Sequence, residues 1–513
     1  MELKDCKNFS EVLYYQSRIN PDKVFISDVR SGRCYYFKEF NLIVEKASNY
    51  LLSKGIERGD RITALIENSP EYCFLYFAAL RIGAIFNPMP FTSHKEEVKK
   101  NISYVGPSIV LVDARRFNEF AGERASFVEV PVGEERLFEK SLEVHADSLR
   151  ARVEIDENCP ACLYYSSGTT GDPKGVLFSH KNMIADISSV CRGFDFMNDN
   201  EVHLVFLPLG HTASTNYSFL PCMYAGGKMI LAESFWQIRN RIWELIQKER
   251  VNYMEVVPTV LYSILNIYQD TKGCDVSSMK FVGCGSAPLQ KSIQIEFEKK
   301  FGLKTANLYG LSETGPTHID DPRKPDWEPG RIGVPLDVNE VKIVDENDRE
   351  LSPNEIGEIV VKGANVFVGY YKNEKLYKEV MRNGFFHTGD LGYKNEQGIY
   401  YFVDRKKDLI IKGGSNVMPG EIDEVLLLNP AVKEAATIGM PDDLFGEEIK
   451  SFIVLRDNCL IESEEILEHC KKYLSALKLP KVIEIVASIP QTHSGKLLKK
   501  DLREKSKVII NER

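Results

Sequence analysis

A dense run of small and hydroxyl-bearing residues with one lysine follows the apolar stretch 161–165, which is typical of the end of a buried strand. The run reads Ser166, Ser167, Gly168, Thr169, Thr170, Gly171, Asp172, Pro173, Lys174, Gly175. Glycines let backbone N–H groups approach an anion, the hydroxyls add donors, and the lysine supplies a charge suited to phosphate. No Ser or Thr follows the lysine, so this is not the common GxxxxGK[ST] loop. The run therefore predicts a phosphate-binding loop of another kind, in preference to an ordinary Gly/Ser turn.

A second motif, 307–314, combines an aromatic residue, a glycine, a hydroxyl and an acid. Tyr309 ends a predicted strand and offers a flat surface for a base, and Gly310 permits a tight turn beside it. Ser312 can bond a phosphate oxygen, and the Glu313 carboxylate suits Mg²⁺, although it could also be a solvated loop acid. We assign four more residues near strand ends to cofactor binding: Asn307, Gly285, Ser286, Ala287.

Four further residues suggest a chemical role only in context. Asp390 ends the run His-Thr-Gly-Asp and can accept both hydroxyls of a ribose, as an alternative to capping its own loop, and Arg405 can bond ribose and phosphate. Lys496 follows Pro-Gln-Thr-His-Ser-Gly; read alone, it is a solvated lysine in a basic tail. His211 follows a predicted strand; it either closes a pocket wall or is hydrogen-bonded structure.

In their order along the chain, these motifs resemble those of the adenylate-forming superfamily, which contains acyl-CoA synthetases, luciferases and nonribosomal adenylation domains. The stretch 162–176 resembles the superfamily's phosphate loop, and 309–313 matches its Y-G-x-[ST]-E motif at every position. The chain looks most like AMP-forming acid–CoA ligases. This resemblance implies that a carboxylate and ATP give acyl-AMP and pyrophosphate, after which a thiol displaces AMP. It implies ATP, Mg²⁺ and coenzyme A as cofactors.

The resemblance also implies roles for individual residues. It implies catalytic roles for Lys496, His211, Glu313 and Thr170, with Glu313 also the metal ligand. A lysine between the attacking carboxylate and the α-phosphate offsets their charge repulsion. Asp390 and Arg405 would hold the ribose. Among the residues assigned to cofactor binding are also a hinge lysine and the glycines that would leave room for a pantetheine arm: Lys407, Gly413, Gly414.

The identity of the acid is less defined. Amino-acid adenylating domains carry an aspartate where this chain has Thr212, so we expect an uncharged fatty or other organic acid. We expect the pocket walls to include Val282, Cys284 and the hydroxyl-bearing stretch 212–216. Glu255 leaves two interpretations open: a strand-edge acid in solvent, which we favour, or a partner for a cationic, carnitine-like acid.

Two other functions stay open. One is an acyl-AMP ligase that loads the phosphopantetheine of a carrier protein instead of CoA; CoA-dependent AMP release would separate the two. The other is a catalytically silent nucleotide-binding relative, which is disfavoured because Lys174, Glu313, Asp390, Arg405 and Lys496 are all present.

The elements that must position these residues indicate an α/β fold. A chain of 513 residues exceeds one hydrophobic core, so we expect two domains. Repeated strand–helix alternation predicts an N-terminal domain, 1–404, of helix-covered parallel sheets. From about residue 330 the same domain is expected to form a small β-barrel. Helices are expected at 214–225 and 235–248. A hinge at 405–408 leads to a small mobile α+β domain, 409–513, with helices at 421–428, 464–473 and 497–505.

Composition narrows the compartment and the partners. The net charge of −9 argues against a nucleic-acid binder. No signal peptide and no membrane-length apolar stretch are expected. The 11 scattered cysteines favour reduced thiols in a cytoplasmic protein, and the pair Cys159 and Cys162 is read as structural. Small molecules are the expected partners, and the oligomeric state is left open.

Overall fold

The structure is a computed structural model that describes residues 2–122, 126–133, 136–147, 154–166, 174–198, 200–442, 444–456, 459–490 and 498–511. Up to residue 166 its helices are α1 Phe9–Ile19, α2 Phe37–Ser53, α3 Pro70–Arg81, α4 Lys95–Val105, α5 Ala114–Phe117 and α6 Leu137–Leu142. The strands of this part are β1 Val24–Asp28, β2 Cys34–Tyr36, β3 Arg61–Leu65, β4 Ile85–Pro88, β5 Ile109–Asp113, β6 Phe127–Val130 and β7 Pro160–Ser166.

The next part, 174–319, continues the alternation of strands and helices. Its helices are α7 His180–Gly193, α8 Thr212–Ser214, α9 Leu220–Ala225, α10 Phe235–Ile238, α11 Ile242–Glu249, α12 Pro258–Ile267 and α13 Lys291–Phe301. Its strands are β8 Lys174–Ser179, β9 Val202–Val205, β10 Lys228–Leu231, β11 Tyr253–Val256, β12 Phe281–Gly285, β13 Thr305–Leu308, β14 Gly310–Leu311, β15 Gly315–Pro316 and β16 His318–Ile319.

From 334 onward the strands become mainly antiparallel. They are β17 Val334–Pro335, β18 Asn339–Val344, β19 Gly357–Gly363, β20 Gly369–Tyr370, β21 Met381–Arg382, β22 Phe385–Lys394 and β23 Tyr400–Arg405, with helix α14 Glu374–Val380. The last part has β24 Ile410–Lys412, β25 Ser415–Val417, β26 Val432–Asp442, β27 Gly446–Leu455 and β28 Val482–Ile485. Its helices are α15 Pro419–Leu427, α16 Ser463–Lys471 and α17 Lys499–Asn511.

Two large sheets build the N-terminal part. One has the strand order β13-β12-β11-β9-β10-β1-β2 and is parallel except for β2. The other has the order β20-β8-β7-β4-β3-β5-β6 and is parallel from β7 to β6. One hydrophobic cluster includes residues of both sheets and of α3, whose twelve residues are all buried. The predicted helix-covered parallel sheets are therefore confirmed.

The predicted small barrel corresponds to a half-barrel: an antiparallel sheet in the order β18-β19-β22-β21, with β23 also paired to β22. The C-terminal part mixes helices with the sheet β25-β24-β27-β26, whose strand β27 also pairs with β28. Both agree with the fold class predicted from the sequence. Within the described ranges, no helix is long and apolar enough to cross a membrane.

Three local predictions were wrong. The predicted helix 235–248 is two helices, because a turn at 239–241 separates α10 from α11. The predicted helix 214–225 contains a π-helical turn, Thr215–Phe219, between α8 and α9. Lys174 belongs to strand β8, which pairs antiparallel with β7, so the loop 167–173 connects two paired strands.

Candidate functional site

The two ends of the predicted phosphate loop lie side by side. Ser166 at the end of β7 is the register partner of Lys174 at the start of β8. The loop itself lies outside the described residues, and so do five of the residues predicted to bind phosphate: Ser167, Gly168, Thr169, Thr170, Gly171. The predicted catalytic Lys496 is also outside them. The structure therefore describes the frame of this loop, which is Lys174 and the two paired strands.

Tyr370 lies between Lys174 and Glu313, and the sequence reasoning missed it. Its hydroxyl donates to Oε1 of Glu313 at 2.8 Å, and Nζ of Lys174 lies 5.6 Å from the centre of its ring. Burial and the Glu313 charge raise the pKa of Tyr370, so its phenol stays a donor. Strand β20 holds it in place by pairing Tyr370 with Val176 of β8. The signal that could have revealed it is the glycine–tyrosine pair 369–370 beside an apolar run.

The aspartate and arginine of two separate motifs form one cluster with Tyr309. Asp390 of β22 is the register partner of Arg405 of β23, and Oδ1 of Asp390 lies 3.1 Å from Nε of Arg405. The hydroxyl of Tyr309, directly after β13, donates to Oδ2 of Asp390 at 3.0 Å. Asp390 is buried, whereas 30% of the Arg405 side chain is exposed. Each carboxylate oxygen has two lone pairs, so the carboxylate can accept further donors from a ligand.

Lys407 connects these two groups of residues electrostatically. Burial and the positive charges of Arg405 and Lys174 lower the pKa of Lys407, while the charges of Asp408 and Asp390 oppose the shift. Lys407 therefore experiences charges from both the Lys174 end and the Asp390–Arg405 end. The residues predicted from four separate motifs converge on one region of the protein.

The turn after Tyr309 depends on a glycine. Gly310 of β14 pairs with Pro316 of β15, and a Cβ at Gly310 would overlap the carbonyl oxygen of Gly315. Ser312 and Glu313 follow in the turn between these strands, and both are half-buried. The close backbone approach fixes the direction in which the Glu313 side chain leaves the turn.

The remaining residues assigned to cofactor binding lie at neighbouring strand ends. Gly285 ends β12, where a Cβ would come within 2.9 Å of Leu308, and Ser286 follows in the left-handed region with φ +66°. Asn307 is buried in β13, and its side-chain amide donates to the carbonyl of Arg331 at 3.0 Å. That described contact gives Asn307 a positioning part, because it ties the strand before Tyr309 to the following loop.

His211 stands at the start of the helical stretch α8–α9 and is half-buried. Two hydroxyls that we expected at the pocket entrance are engaged with the backbone of the preceding loop. Ser214 donates to the carbonyl of Leu207 at 3.1 Å, and Thr215 to that of Leu209 at 3.0 Å. These two hydrogen bonds hold the stretch in place against the preceding loop.

The position of Glu255 contradicts the interpretation that we favoured. It is not a strand-edge acid in solvent: it is 2% exposed on the central strand β11. Oε2 accepts from the hydroxyl of Ser218 at 3.1 Å, and Oε1 has no hydrogen-bond partner among the described residues. Burial raises the pKa of Glu255 to about 8. An alternating apolar–polar strand could not reveal this, because the element that covers its polar face is distant in sequence.

Val282 and Cys284, which were predicted to line the acyl pocket, lie on the other face of the sheet from Glu255. Val282 and Cys284 of β12 pack into the cluster between this sheet and helices α11 to α13. Tyr253 and Phe281 belong to the cluster on the opposite face, towards the π-helical turn. Because side chains alternate along a strand, Glu255 and Gly283 share that second face. Val282 and Cys284 therefore lie on the face of the sheet opposite to Glu255, and their part in the acyl pocket stays a prediction.

In the C-terminal part, Gly413 and Gly414 form the turn between β24 and β25 with φ +58° and +81°. The Gly413 N–H donates to the carbonyl of Phe445 at 2.8 Å. The preceding Lys412 is buried and forms an ion pair with Glu448. Its charge is therefore compensated within the C-terminal sheet.

The chain matches two family models. Residues 13–371 match the AMP-binding enzyme family, and residues 421–496 match the AMP-binding enzyme C-terminal domain. Feruloyl-CoA synthase of Amycolatopsis sp is 31% identical over 96% of this chain and 97% of its own length. The long-chain-fatty-acid–CoA ligase of Bacillus subtilis (strain 168) is 30% identical, over 97% and 94% respectively.

The fold is similar to that of a solved structure. The crystal structure of ATP-bound MatB from Rhodopseudomonas palustris superimposes with a TM-score of 0.90 at 28% sequence identity. The match covers 98% of this chain and 99% of that chain. The two large sheets, the half-barrel and the C-terminal part are thus matched together.

Proposed function

This chain belongs to the AMP-binding enzyme family, and from that premise we propose that it is an ATP-dependent acid–CoA ligase. It activates a carboxylic acid as acyl-AMP with release of pyrophosphate and then transfers the acyl group to coenzyme A. The relatives named feruloyl-CoA synthase and long-chain-fatty-acid–CoA ligase support this reaction type because the similarity extends over nearly the whole chain.

One observation carries the proposal: the side chains suited to bind phosphate and those suited to bind ribose lie in the same region of the protein. Lys174 and Glu313 meet at Tyr370, and Asp390, Arg405 and Tyr309 contact each other. A nucleoside triphosphate needs a cation for its phosphates and an acceptor for its ribose hydroxyls, at a separation that one molecule can span. Tyr309 of one group and Glu313 of the other adjoin the same β14–β15 turn, which supports a single nucleotide site.

In the first half-reaction, a carboxylate oxygen of the acid attacks the α-phosphorus of ATP. An acyl–phosphate bond forms, the α–β phosphoanhydride bond breaks, and pyrophosphate leaves. Lys174 and the loop 166–171 hold the phosphates, Asp390 and Arg405 hold the ribose, and Lys496 offsets the repulsion between carboxylate and phosphate. His211 closes the wall between acid and adenylate.

Glu313 fits a magnesium ion that is bound mainly by phosphate. Its Oε1 accepts from Tyr370, and the half-buried carboxylate leaves Oε2 available to a hard cation. Among the described residues, no group of three or more His, Cys, Asp or Glu side chains could hold a metal alone. This agrees with Mg²⁺ arriving on ATP, where it neutralises phosphate charge.

In the second half-reaction, the thiol of CoA attacks the acyl carbon. The carbon–sulfur bond forms, the bond between the acyl carbon and the bridging phosphate oxygen breaks, AMP leaves with that oxygen, and the thiol proton passes to solvent. We propose that the domain 409–513 turns about 405–408 between the two steps. Gly413 and Gly414 then face the site, where their lack of side chains leaves room for the pantetheine arm.

The test is a pyrophosphate-release screen of the full chain with ATP, Mg²⁺ and a panel of carboxylic acids. We expect at least one acid to stimulate release, and CoA to be required for AMP release and thioester formation. The matched variant Asp390→Asn should lose most of the acid-dependent signal. Absence of acid-dependent pyrophosphate release across the panel would contradict the proposal. If AMP release required a carrier protein and did not occur with CoA, the acyl acceptor would be the carrier protein.

A further inference from the structure

Glu255 is a buried acid without a described cation partner. The Ser218 hydroxyl donates to Oε2, while Oε1 is buried and has no hydrogen-bond partner among the described residues. Leaving such an oxygen unpaired costs free energy, and an apolar residue of similar size would avoid that cost. A scaffold alone therefore does not explain this side chain.

A second unpaired polar atom lies beside it. Gly283 of β12 is the register partner of Glu255, and a Cβ at Gly283 would lie 2.5 Å from the hydroxyl oxygen of Tyr253. This places the Tyr253 phenol over Gly283, next to Glu255. The Tyr253 hydroxyl is also buried and has no hydrogen-bond partner among the described residues. The Glu255 carboxyl and the Tyr253 phenol thus lie close together at Gly283, which has no side chain to fill the space above the sheet.

The location points to the inner end of the acyl pocket. Ser218, which contacts Glu255, is in the π-helical turn of the stretch that begins at His211. It lies seven residues beyond His211, which corresponds to about 10 Å at the rise of a helix. π-helical turns occur frequently at functional sites.

Aromatic side chains lie around Glu255, and among the described residues no basic side chain is paired with it. The groups that experience its charge are Tyr217 of the π-helical turn, Tyr253 of β11 and Cys284 of β12, and burial keeps the pKa of each well above its usual value. His203 is the basic residue on the adjacent strand β9. Its Nδ1 is hydrogen-bonded to the carbonyl of Ser218, and its Nε2 lies 3.7 Å from Oε2 of a different acid, Glu201. Charge compensation for Glu255 must therefore come from elsewhere.

We propose that Glu255 determines acid specificity, and that it recognises a cationic ammonium group on the tail of the carboxylic acid. A carboxylate surrounded by aromatic rings is a suitable site for an alkylammonium group, which gains both the ion pair and cation–π attraction. The inference rests on the proposed function and names the substrate class of the same site.

The experiment compares two isosteric acids in the acid-dependent pyrophosphate assay. One is a short-chain acid that ends in a trimethylammonium group, and the other ends in an uncharged tert-butyl group. We expect the full-length wild type to prefer the cationic acid by about 100-fold in kcat/KM, because only the ammonium group can form an ion pair with the buried carboxylate. Glu255→Gln should abolish that preference.

The control variant is Glu244→Gln, an exposed glutamate of α11, which should keep the wild-type preference. Ser218→Ala, which removes the donor to Oε2, should reduce the preference less than Glu255→Gln and serves if the latter does not fold. The ratio between two acids of equal shape is unaffected by a general loss of stability.

The outcomes are separable. Equal use of both acids by the wild type, or a preference that survives Glu255→Gln, would overturn the inference and leave the ligase function standing. A wild-type preference for a neutral hydroxyl-ended acid would also overturn it. If no acid in the wider panel releases pyrophosphate, the proposed function itself fails.

Discussion

His318 is a buried, neutral histidine beneath Tyr309. Its ring centre lies 5.2 Å from that of Tyr309 and 4.9 Å from that of Tyr400, and Nδ1 lies 2.9 Å from the Thr317 hydroxyl. Burial lowers the pKa of His318 to about 3. Folding therefore keeps neutral a group that an unfolded chain protonates near pH 6.5.

The pH dependence of stability should reflect this residue. Between pH 6.5 and about 3, the unfolded chain binds a proton at His318 that the folded chain does not bind, so the free energy of unfolding falls as pH falls. The slope for one group is up to about 1.4 kcal/mol per pH unit. Thermal unfolding of wild type and His318→Gln across this window should show a shallower acid loss in the variant. Parallel curves would show that His318 does not remain neutral in the folded state.

At the residue scale, motif chemistry could be predicted but burial could not. The resemblance to the adenylate-forming superfamily implied one nucleotide site for Tyr309, Asp390 and Arg405, and the structure places the three side chains in contact. The Asp390–Arg405 contact arises from the β22–β23 register and the Tyr309–Asp390 contact from the packing of the residue after β13 against β22, and no local pattern specifies either. Glu255 was misjudged because Tyr-Met-Glu-Val predicts a strand with one polar side, and only the fold shows that this side faces the π-helical turn.

At the scale of elements, the turn that carries Glu313 is a short antiparallel pair, β14–β15. Its backbone separation allows no side chain at Gly310, where the Gly315 carbonyl occupies the Cβ position. Through the phenol of Tyr370, the same turn is connected to β20 and hence to β8 and Lys174. A distortion of this turn therefore displaces both carboxylate and cation.

Gly310→Ala should reduce acid-dependent pyrophosphate release strongly while the fold persists. An added methyl group forces the two strands apart, and a displacement near 1 Å can cost about 100-fold in rate. The matched control is Gly302→Ala at the end of α13, where φ is +70° and no atom lies within 4 Å of the added carbon. That control should lose some stability and keep its activity. Wild-type kcat/KM for ATP in Gly310→Ala would refute the importance of this close approach.

The incorrect predictions of helices and strands have physical explanations. Phe235, Ile238, Ile242 and Leu245 keep a helical apolar spacing across the 239–241 turn, so the pattern hides the break between α10 and α11. Strand β8 was missed because Lys174 and Gly175 look like loop residues, although they pair with β7. In contrast, the sequence predicts a strand at 61–66, a helix at 69–82 and a strand at 84–88, and these agree closely with β3, α3 and β4 because Ser69-Pro70 and Gly83 mark the ends of the helix.

At the scale of the whole molecule, the hydrophobic clusters divide along the chain. Those that include the two large sheets draw their buried residues from positions up to Tyr400, and the C-terminal clusters from Ile410 onward. A described contact between the two parts is the Arg456–Glu296 pair at 3.5 Å, whose side chains are 37% and 39% exposed. Pairs with such exposure contribute about 0–1 kcal/mol, so this contact resists a rotation only weakly. The boundary at 405–408 stays a prediction.

The proposed rotation predicts opposite defects in two variants. Lys496→Ala should abolish acyl-AMP formation and leave thioester formation from supplied acyl-AMP largely intact, because the proposed role of Lys496 belongs to the first step alone. Lys407→Pro should keep adenylation and lose thioesterification, because proline fixes φ and removes an N–H donor at the hinge. The two half-reactions are measured separately, by pyrophosphate release and by conversion of acyl-AMP with CoA.

Lys406→Ala, at the neighbouring exposed position, controls for loss of charge near the hinge. It should retain both half-reactions. Equal loss of both half-reactions in Lys496→Ala, with the fold intact, would contradict the rotation. Unchanged overall turnover in Lys407→Pro would show that the chain turns elsewhere.

The contact between Asp390 and Arg405 has a thermodynamic consequence. Arg405 is the last residue of β23 and the first residue of the proposed hinge 405–408, so the side chain proposed to hold the ribose stands where the small domain is proposed to turn. Any orientation of the small domain that displaces Arg405 must then change nucleotide affinity. By reciprocity, bound nucleotide must bias that orientation by the same coupling free energy. On this basis, the release of AMP and the return of the small domain to its first orientation are thermodynamically coupled, and each favours the other.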